Sequence, residues 1–150
     1  MKKLTLACAL ILASVGLKAQ ITTGKDVAVV ATDAGKVRGY VHSGIYTYKG
    51  IPYAEAARFE APHKPKPWAG VRSSMSYGPV SPLIDETTQV NDESEFVFNH
   101  NWGYTNEDCM RINVWTPGIN DGKKRPVMFW IHGGGFTAGS AIELPSYDGE

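Results

Sequence analysis

Two early stretches of the chain alternate apolar and polar residues. They run over 27–30 and 36–49, where Val37, Tyr40, Ile45, Tyr46 and Tyr48 supply β-branched and aromatic character. Gly35, Gly39 and Ser43-Gly44 interrupt them with turn chemistry. This period of two predicts a small antiparallel hairpin or meander. Gly50-Ile51-Pro52-Tyr53 is expected to end it, because Pro52 has no N–H to give to a ladder. Residues 54–82 hold Pro62, Pro65, Pro67, Pro79 and Pro82 and read as mostly irregular. Arg58-Phe59 and Trp68 are expected to pin that stretch onto the core. Residues 83–108 are polar and acidic, with Phe96, Phe98, Trp102 and Tyr104 beside Asp92, Glu93 and Glu95. A loop of that length is usually functional or disordered.

Two more strands follow. Residues 110–116 alternate around Ile112, Val114 and Trp115, and Pro117-Gly118 stops them. Residues 127–131 are a continuous apolar run, the pattern of a strand buried on both faces of a sheet. The charged stretch 120–125 between them suits a turn, so the two strands could pair as a hairpin. There is no internal repeat, no low-complexity tract and no well-formed amphipathic helix.

The N-terminus changes how the rest is read. Lys2 and Lys3 precede an apolar run over 4–17, and Ala19 stands before Gln20. That is the layout of a signal peptide over 1–19. About 14 apolar residues fall short of the ~20 that span a bilayer. The domain reading is therefore a leader at 1–19 and a globular part at 20–150, exported to the periplasm or the extracellular space. At 150 residues and 43% hydrophobic the chain suits one domain. Its 15 basic and 15 acidic residues cancel, which gives no reason to expect a nucleic-acid partner. Removing the leader takes away Lys2, Lys3 and Lys18 and no acid, so a mild negative charge remains. It also leaves one cysteine, Cys109, which has no internal bridging partner.

The most informative chemistry is the run from Val127 to Phe136, where an apolar strand delivers the chain into Gly133-Gly134-Gly135. Glycine lets the backbone adopt positive φ and approach a ligand closely. Amides exposed in this way can face an oxygen that becomes negative during acyl transfer, and such a loop follows the third strand in α/β-hydrolases. Two other readings compete. Gly133-x-Gly135-x-x-Ala138 formally fits a dinucleotide fingerprint, but Pro145 and Gly149 spoil the helix it requires. A plain glycine-rich turn stays open on the glycines alone. No Gly-Lys-Ser/Thr follows, which excludes a phosphate loop. His132 shows no ligand spacing with His42, His63 or His100, so no metal site is expected.

Eight blocks occur in a telling order. They are Gly50-Ile51-Pro52-Tyr53-Ala54, Arg58-Phe59, Pro67-Trp68-x-Gly70-Val71, Tyr77-Gly78-Pro79, Glu107-Asp108-Cys109, Ile112-Asn113-Val114-Trp115-Thr116-Pro117, His132 to Phe136, and Tyr147-Asp148-Gly149. In this order the chain resembles the type-B carboxylesterases, the carboxylesterase and cholinesterase family, over about residues 35–149. The resemblance implies an α/β fold, the N-terminal part of an α/β-hydrolase: a small antiparallel hairpin plus the first strands of the central sheet. It also implies a serine carboxylic ester hydrolase that acts on a small-molecule ester through an acyl-enzyme, with no cofactor.

By the same resemblance, Gly134 and Gly135 would supply the two oxyanion amides and Gly133 would shape the turn. Arg58 and Glu107 match a structural salt bridge at the base of the long loop. Cys109 matches a cysteine that in many members bridges to one just after the Gly-Pro of Gly78-Pro79, where this chain has Ser81. Only Glu55-Ala56-Ala57 separates Tyr53-Ala54 from Arg58-Phe59, a shorter turn than the family's. No Gly-x-Ser-x-Gly elbow occurs, since Gly139-Ser140 and Ser146 lack the flanking pattern. The chain is therefore expected to be truncated before the nucleophile and inactive alone. A non-catalytic, cholinesterase-like binding or adhesion protein is the alternative reading. A self-contained exported β-domain is a third.

Overall fold

A computed structural model describes residues 20–82, 103–135 and 139–150. The expected leader at 1–19, most of the long loop with Phe96, Phe98 and Trp102, and Phe136 lie outside the described residues. Among the described residues six strands are formed: β1 Val29–Ala31, β2 Lys36–Arg38, β3 Tyr40–His42, β4 Ile45–Pro52, β5 Val71–Ser73 and β6 Arg111–Thr116. They make two three-stranded sheets, ordered β1-β2-β5 and β3-β4-β6. Among the described residues the only helical element is a 3₁₀ turn at Pro145–Tyr147.

The predicted hairpin forms between β3 and β4, with Tyr40 opposite Thr47 and His42 opposite Ile45. Ser43 (φ 50°) and Gly44 (φ 81°) make its turn, the two positive values that match the right-handed twist of a tight hairpin. Gly39 separates β2 from β3 and carries the chain from one sheet to the other. A Cβ placed there would lie 2.0 Å from the Thr47 carbonyl oxygen. Only glycine allows that approach.

β4 ends at Pro52, inside the 50–53 segment expected to stop it. A bulge lies just before that end. Tyr48 faces Val114 and Ile51 faces Ile112, so Lys49 and Gly50 together oppose the single Asn113. Gly50 takes φ 69° and donates its N–H to Asn113 Oδ1 at 2.9 Å. The side chain thus supplies the acceptor that the ladder loses at the bulge. Lys49 N–H turns away to the Ser74 carbonyl at 2.8 Å, tying β4 to the residue after β5.

The core is small. Val37, Tyr48 and Ala28 are buried, ringed by Val27, Val30, Val41, Tyr46, Ile51, Trp68 and Ile119. Trp68 does pin the irregular stretch: its indole N–H donates to the Lys36 carbonyl at 2.9 Å and its ring carries the Arg72 guanidinium at 4.2 Å. Phe59 does not pin it. It sits at φ 68° in a turn and is 99% exposed. The backbone bonds there run between Glu55 and His63, at 2.9 Å each way, so the turn closes on itself rather than on the core.

The larger correction concerns 127–131. Residues 122–133 form no strand, and Val127, Met128, Phe129, Trp130 and Ile131 are 61–92% exposed. The expected hairpin with 110–116 is not made: β6 pairs with β4 on one edge, and no described strand pairs with its other edge. A strand buried on both faces depends on neighbours at both edges and layers on both sides. Among the described residues none pairs with this segment. The turn before it is formed: Arg125 grips the Asp121 carboxylate with both terminal nitrogens, and that hydrogen bonding holds Asp121 down to about 2.

Candidate active site

The glycine loop leaves the apolar run at His132, which is half-buried, while Gly133, Gly134 and Gly135 are exposed. His132 Nδ1 lies 2.7 Å from the Gly133 carbonyl oxygen and, as the protonated nitrogen, donates to it. That bond fixes the imidazole beside its own backbone, as a local brace. Gly134 takes φ 116° and Gly135 φ 58°, values that other side chains resist. Among the described residues no heavy atom would crowd a Cβ on Gly133 or Gly135. At Gly135 it is therefore backbone conformation, not space, that calls for glycine.

Beyond Phe136 the chain returns. At Gly139 (φ 91°) a Cβ would stand 2.5 Å from the Gly133 carbonyl oxygen and 3.0 Å from His132 Nδ1. The loop is thus pinched at its neck, Gly133 against Gly139.

The segment 139–150 is held by contacts that no local pattern announced. Ser140 is buried, and its Oγ accepts the Ile142 N–H at 3.3 Å. The Tyr147 ring lies 5.4 Å from that of Trp130. Gly149 passes so close over Trp115 that a Cβ would sit 2.8 Å from the indole. Asp148 Oδ2 lies 3.4 Å from Lys49 Nζ and accepts the Tyr77 hydroxyl at 3.2 Å. Glu150 accepts from the Tyr40 hydroxyl, from His42 Nδ1 and, at 3.1 Å, from Thr47 Oγ1. The Lys49 ammonium also lies over the Tyr77 ring at 4.4 Å and the Tyr40 ring at 5.7 Å.

These groups shift one another. Burial works against the charge of Lys49, but the Tyr40 and Tyr77 oxygens and Asp148 outweigh it, so its pKa is raised. Burial likewise works against the Glu150 carboxylate, yet the Tyr40, His42 and Thr47 hydrogen bonds and Lys49 lower its pKa. Burial and the neighbouring Glu150 push the Tyr40 phenol up.

At the foot of the long loop, Arg58 and Glu107 meet in an ion pair whose side chains are 63% and 54% exposed. A backbone bridge closes the same foot. Val80 N–H donates to the Tyr104 carbonyl at 2.9 Å and Asn106 N–H to the Val80 carbonyl at 3.1 Å. Cys109 is half-buried and has no disulfide partner among the described residues. Ser81, at the position where the resemblance looks for a second cysteine, is exposed. The structure therefore brings Arg58 to Glu107 and keeps Gly133, Gly134 and Gly135 together, and it leaves Cys109 unbridged. A shallow cleft of about 410 Å³ lies between Glu55, His63, Lys66 and Glu107. No group of three or more His, Cys, Asp or Glu among the described residues could hold a metal ion.

The family comparison follows the same residues. The Carboxylesterase family profile matches residues 26–150. Phenmedipham hydrolase of Pseudarthrobacter oxydans is 38% identical over 79% of this chain and 24% of its own length. Para-nitrobenzyl esterase of Bacillus subtilis is 36% identical over 81% of this chain and 24% of its own. Among solved structures, an esterase from anaerobic Clostridium hathewayi that can hydrolyze aliphatic aromatic polyesters superposes with a TM-score of 0.79. It is 42% identical and covers 89% of this chain and 26% of its own. The chain thus spans about a quarter of the length of the relatives it matches. Those structures are α/β-hydrolase esterases, and the two sheets described above are the N-terminal part of that fold, incomplete in this chain. The chain belongs to the carboxylesterase family, whose members are carboxylic ester hydrolases.

Proposed function

We propose that this chain supplies the oxyanion-hole loop of a serine carboxylic ester hydrolase that acts through an acyl-enzyme on a small-molecule ester. The observation that carries the reading is the exposed His132-Gly133-Gly134-Gly135 loop, with positive φ at Gly134 and Gly135, in a chain of this family. Gly134 and Gly135 are assigned the two amides that meet the developing oxyanion, and Gly133 the turn that presents them. Preorganised donors of this kind contribute roughly 3–4 kcal/mol each to the transition state. The chain alone is assigned no turnover, because it contains no Gly-x-Ser-x-Gly nucleophile elbow. Export through the 1–19 segment belongs to the same reading.

A chimera tests it. Residues 26–150 replace the matching part of the Bacillus subtilis para-nitrobenzyl esterase, and hydrolysis of a p-nitrophenyl ester is followed. An active chimera that loses 10²-fold or more in kcat on Gly135→Pro supports the assignment. A folded chimera without turnover, or one that Gly135→Pro leaves unchanged, overturns it. The first outcome would favour the alternative, a binding protein that has kept the fold without the chemistry.

A further inference from the structure

The glycine loop is pinched at Gly139, and the end of the segment beyond it, at Asp148 and Glu150, is tied to the β3-β4-β6 sheet by a polar cluster. At the centre of that cluster is Lys49, placed at the β4 bulge. We propose that Lys49 is a positioning residue for the glycine loop, acting through the Asp148 and Glu150 carboxylates that tie the 139–150 segment to β3 and β4. This rests on the oxyanion reading of residues 133–135, and its test is independent of turnover.

The geometry carries the inference in three steps. First, the Lys49 ammonium meets both carboxylates, Asp148 Oδ2 at 3.4 Å and Glu150 Oε1 at 4.0 Å, and its side chain is only 12% exposed. A pair this sheltered is less screened than a surface one. Second, the same carboxylates collect the other polar side chains nearby: Tyr77 at Asp148, and Tyr40, His42 and Thr47 at Glu150. Without Lys49, two carboxylates would sit together with hydroxyl and imidazole donors and no ammonium between them. Third, the tail cannot lift at 148–150 without disturbing what lies upstream. Gly149 is wedged on Trp115, Tyr147 packs on Trp130, and Trp130 directly precedes the run into the loop. Trp130 and Gly139 thus flank the loop on its two sides, and both answer to the clasp.

The clasp has a defined charge window. Glu150 is lowered from its ordinary 4.5, so its contribution is complete above that value and is lost as pH falls through the lowered one. Lys49 is raised from its ordinary 10.5, so its contribution is complete below that value and is lost as pH rises through the raised one. Tyr40 and Tyr77 are raised from 10.0, and their phenol hydrogens leave on the same alkaline side. Through the neutral range the clasp is closed.

Amide NMR of the chain separates loop positioning from simple tail docking. In the wild type, the Gly133, Gly134, Gly135 and Gly139 resonances are expected to titrate on acidification with the same midpoint as Glu150. Lys49→Met should move both sets at pH 7, Lys49→Arg should restore both, and Glu150→Gln should abolish the shared acid midpoint. If Lys49→Met shifts the tail resonances and leaves the glycines at their wild-type positions, the tail docks without positioning the loop and the proposal fails. Should Lys49→Met not fold, Glu150→Gln alone decides: glycine resonances that still titrate with the wild-type midpoint overturn the proposal. A chimera without turnover would sink the oxyanion reading and leave these shifts as they are.

Discussion

The Gly50 amide donates to Asn113 Oδ1 at 2.9 Å, joining two motif blocks that lie 63 residues apart in sequence. Asn113 stands opposite the extra residue of the β4 bulge, so its side chain replaces a backbone acceptor. Asn113→Leu keeps the volume and leaves the Gly50 N–H without a partner. An unsatisfied amide of this kind costs about 1–3 kcal/mol. The urea midpoint should fall by the corresponding amount at unchanged slope, and Asn113→Asp, which keeps the oxygen, should lose less. Equal midpoints for wild type and Asn113→Leu would show that the bulge does not depend on this bond.

Arg58 and Glu107 pair, but both are more than half exposed. Exposed pairs gain little against water and side-chain entropy. Glu107→Gln should therefore leave the denaturation midpoint within measurement error, and 1 M salt should erase any residual difference. The Val80–Thr105 backbone bridge carries the closure of the loop instead. A large loss on Glu107→Gln would reverse that assignment.

Tyr48 is 2% exposed, and its hydroxyl has no partner among the described residues. Burial, with Tyr46 nearby, pushes its phenol up to about 12. The raised value means that ionisation costs no stability below the ordinary 10.0 and destabilises the fold progressively as pH rises from there toward about 12. Tyr48→Phe removes a hydroxyl that gains nothing from burial. Its Tm should match or exceed the wild type at pH 7, and its advantage should widen at pH 11. A lower Tm at pH 7 would mean that the hydroxyl has an acceptor.

Val127, Met128, Phe129, Trp130 and Ile131 are an exposed apolar run with no charge among them. Segments of this composition associate between chains. Phe129→Lys should raise the concentration at which the chain stays monomeric in sedimentation velocity. It should do so with little change in Tm, because Phe129 is 68% exposed. A Tm loss comparable to that of a core substitution would show that the run is packed in solution.

Part of this molecule was legible residue by residue. Ser43-Gly44 announces a tight turn, and the alternation around it announces β3 and β4, because period and turn preference act over a few neighbours. The glycine loop was legible for the same reason, and the ordered blocks pointed to the family. The end of β4 was legible in Pro52, which has no N–H for the ladder, but the bulge before it was not, because Asn113 supplies its acceptor from across the sheet. Phe59 misled because its apolar side chain suggested a core anchor, while its own turn closes through Glu55 and His63.

Pattern alone could reach only those features whose cause is local. Tyr147-Asp148-Gly149 stood out as a block, but its clasp on Lys49 spans 99 residues and the Glu150 bond to Tyr40 spans 110. No periodicity connects such positions; only the folded path of the chain brings them within reach. The apolar run 127–131 shows the other side of the same rule. Its composition determined that it prefers burial in a sheet, but burial is a property of the neighbours, and among the described residues no neighbouring strand supplies it.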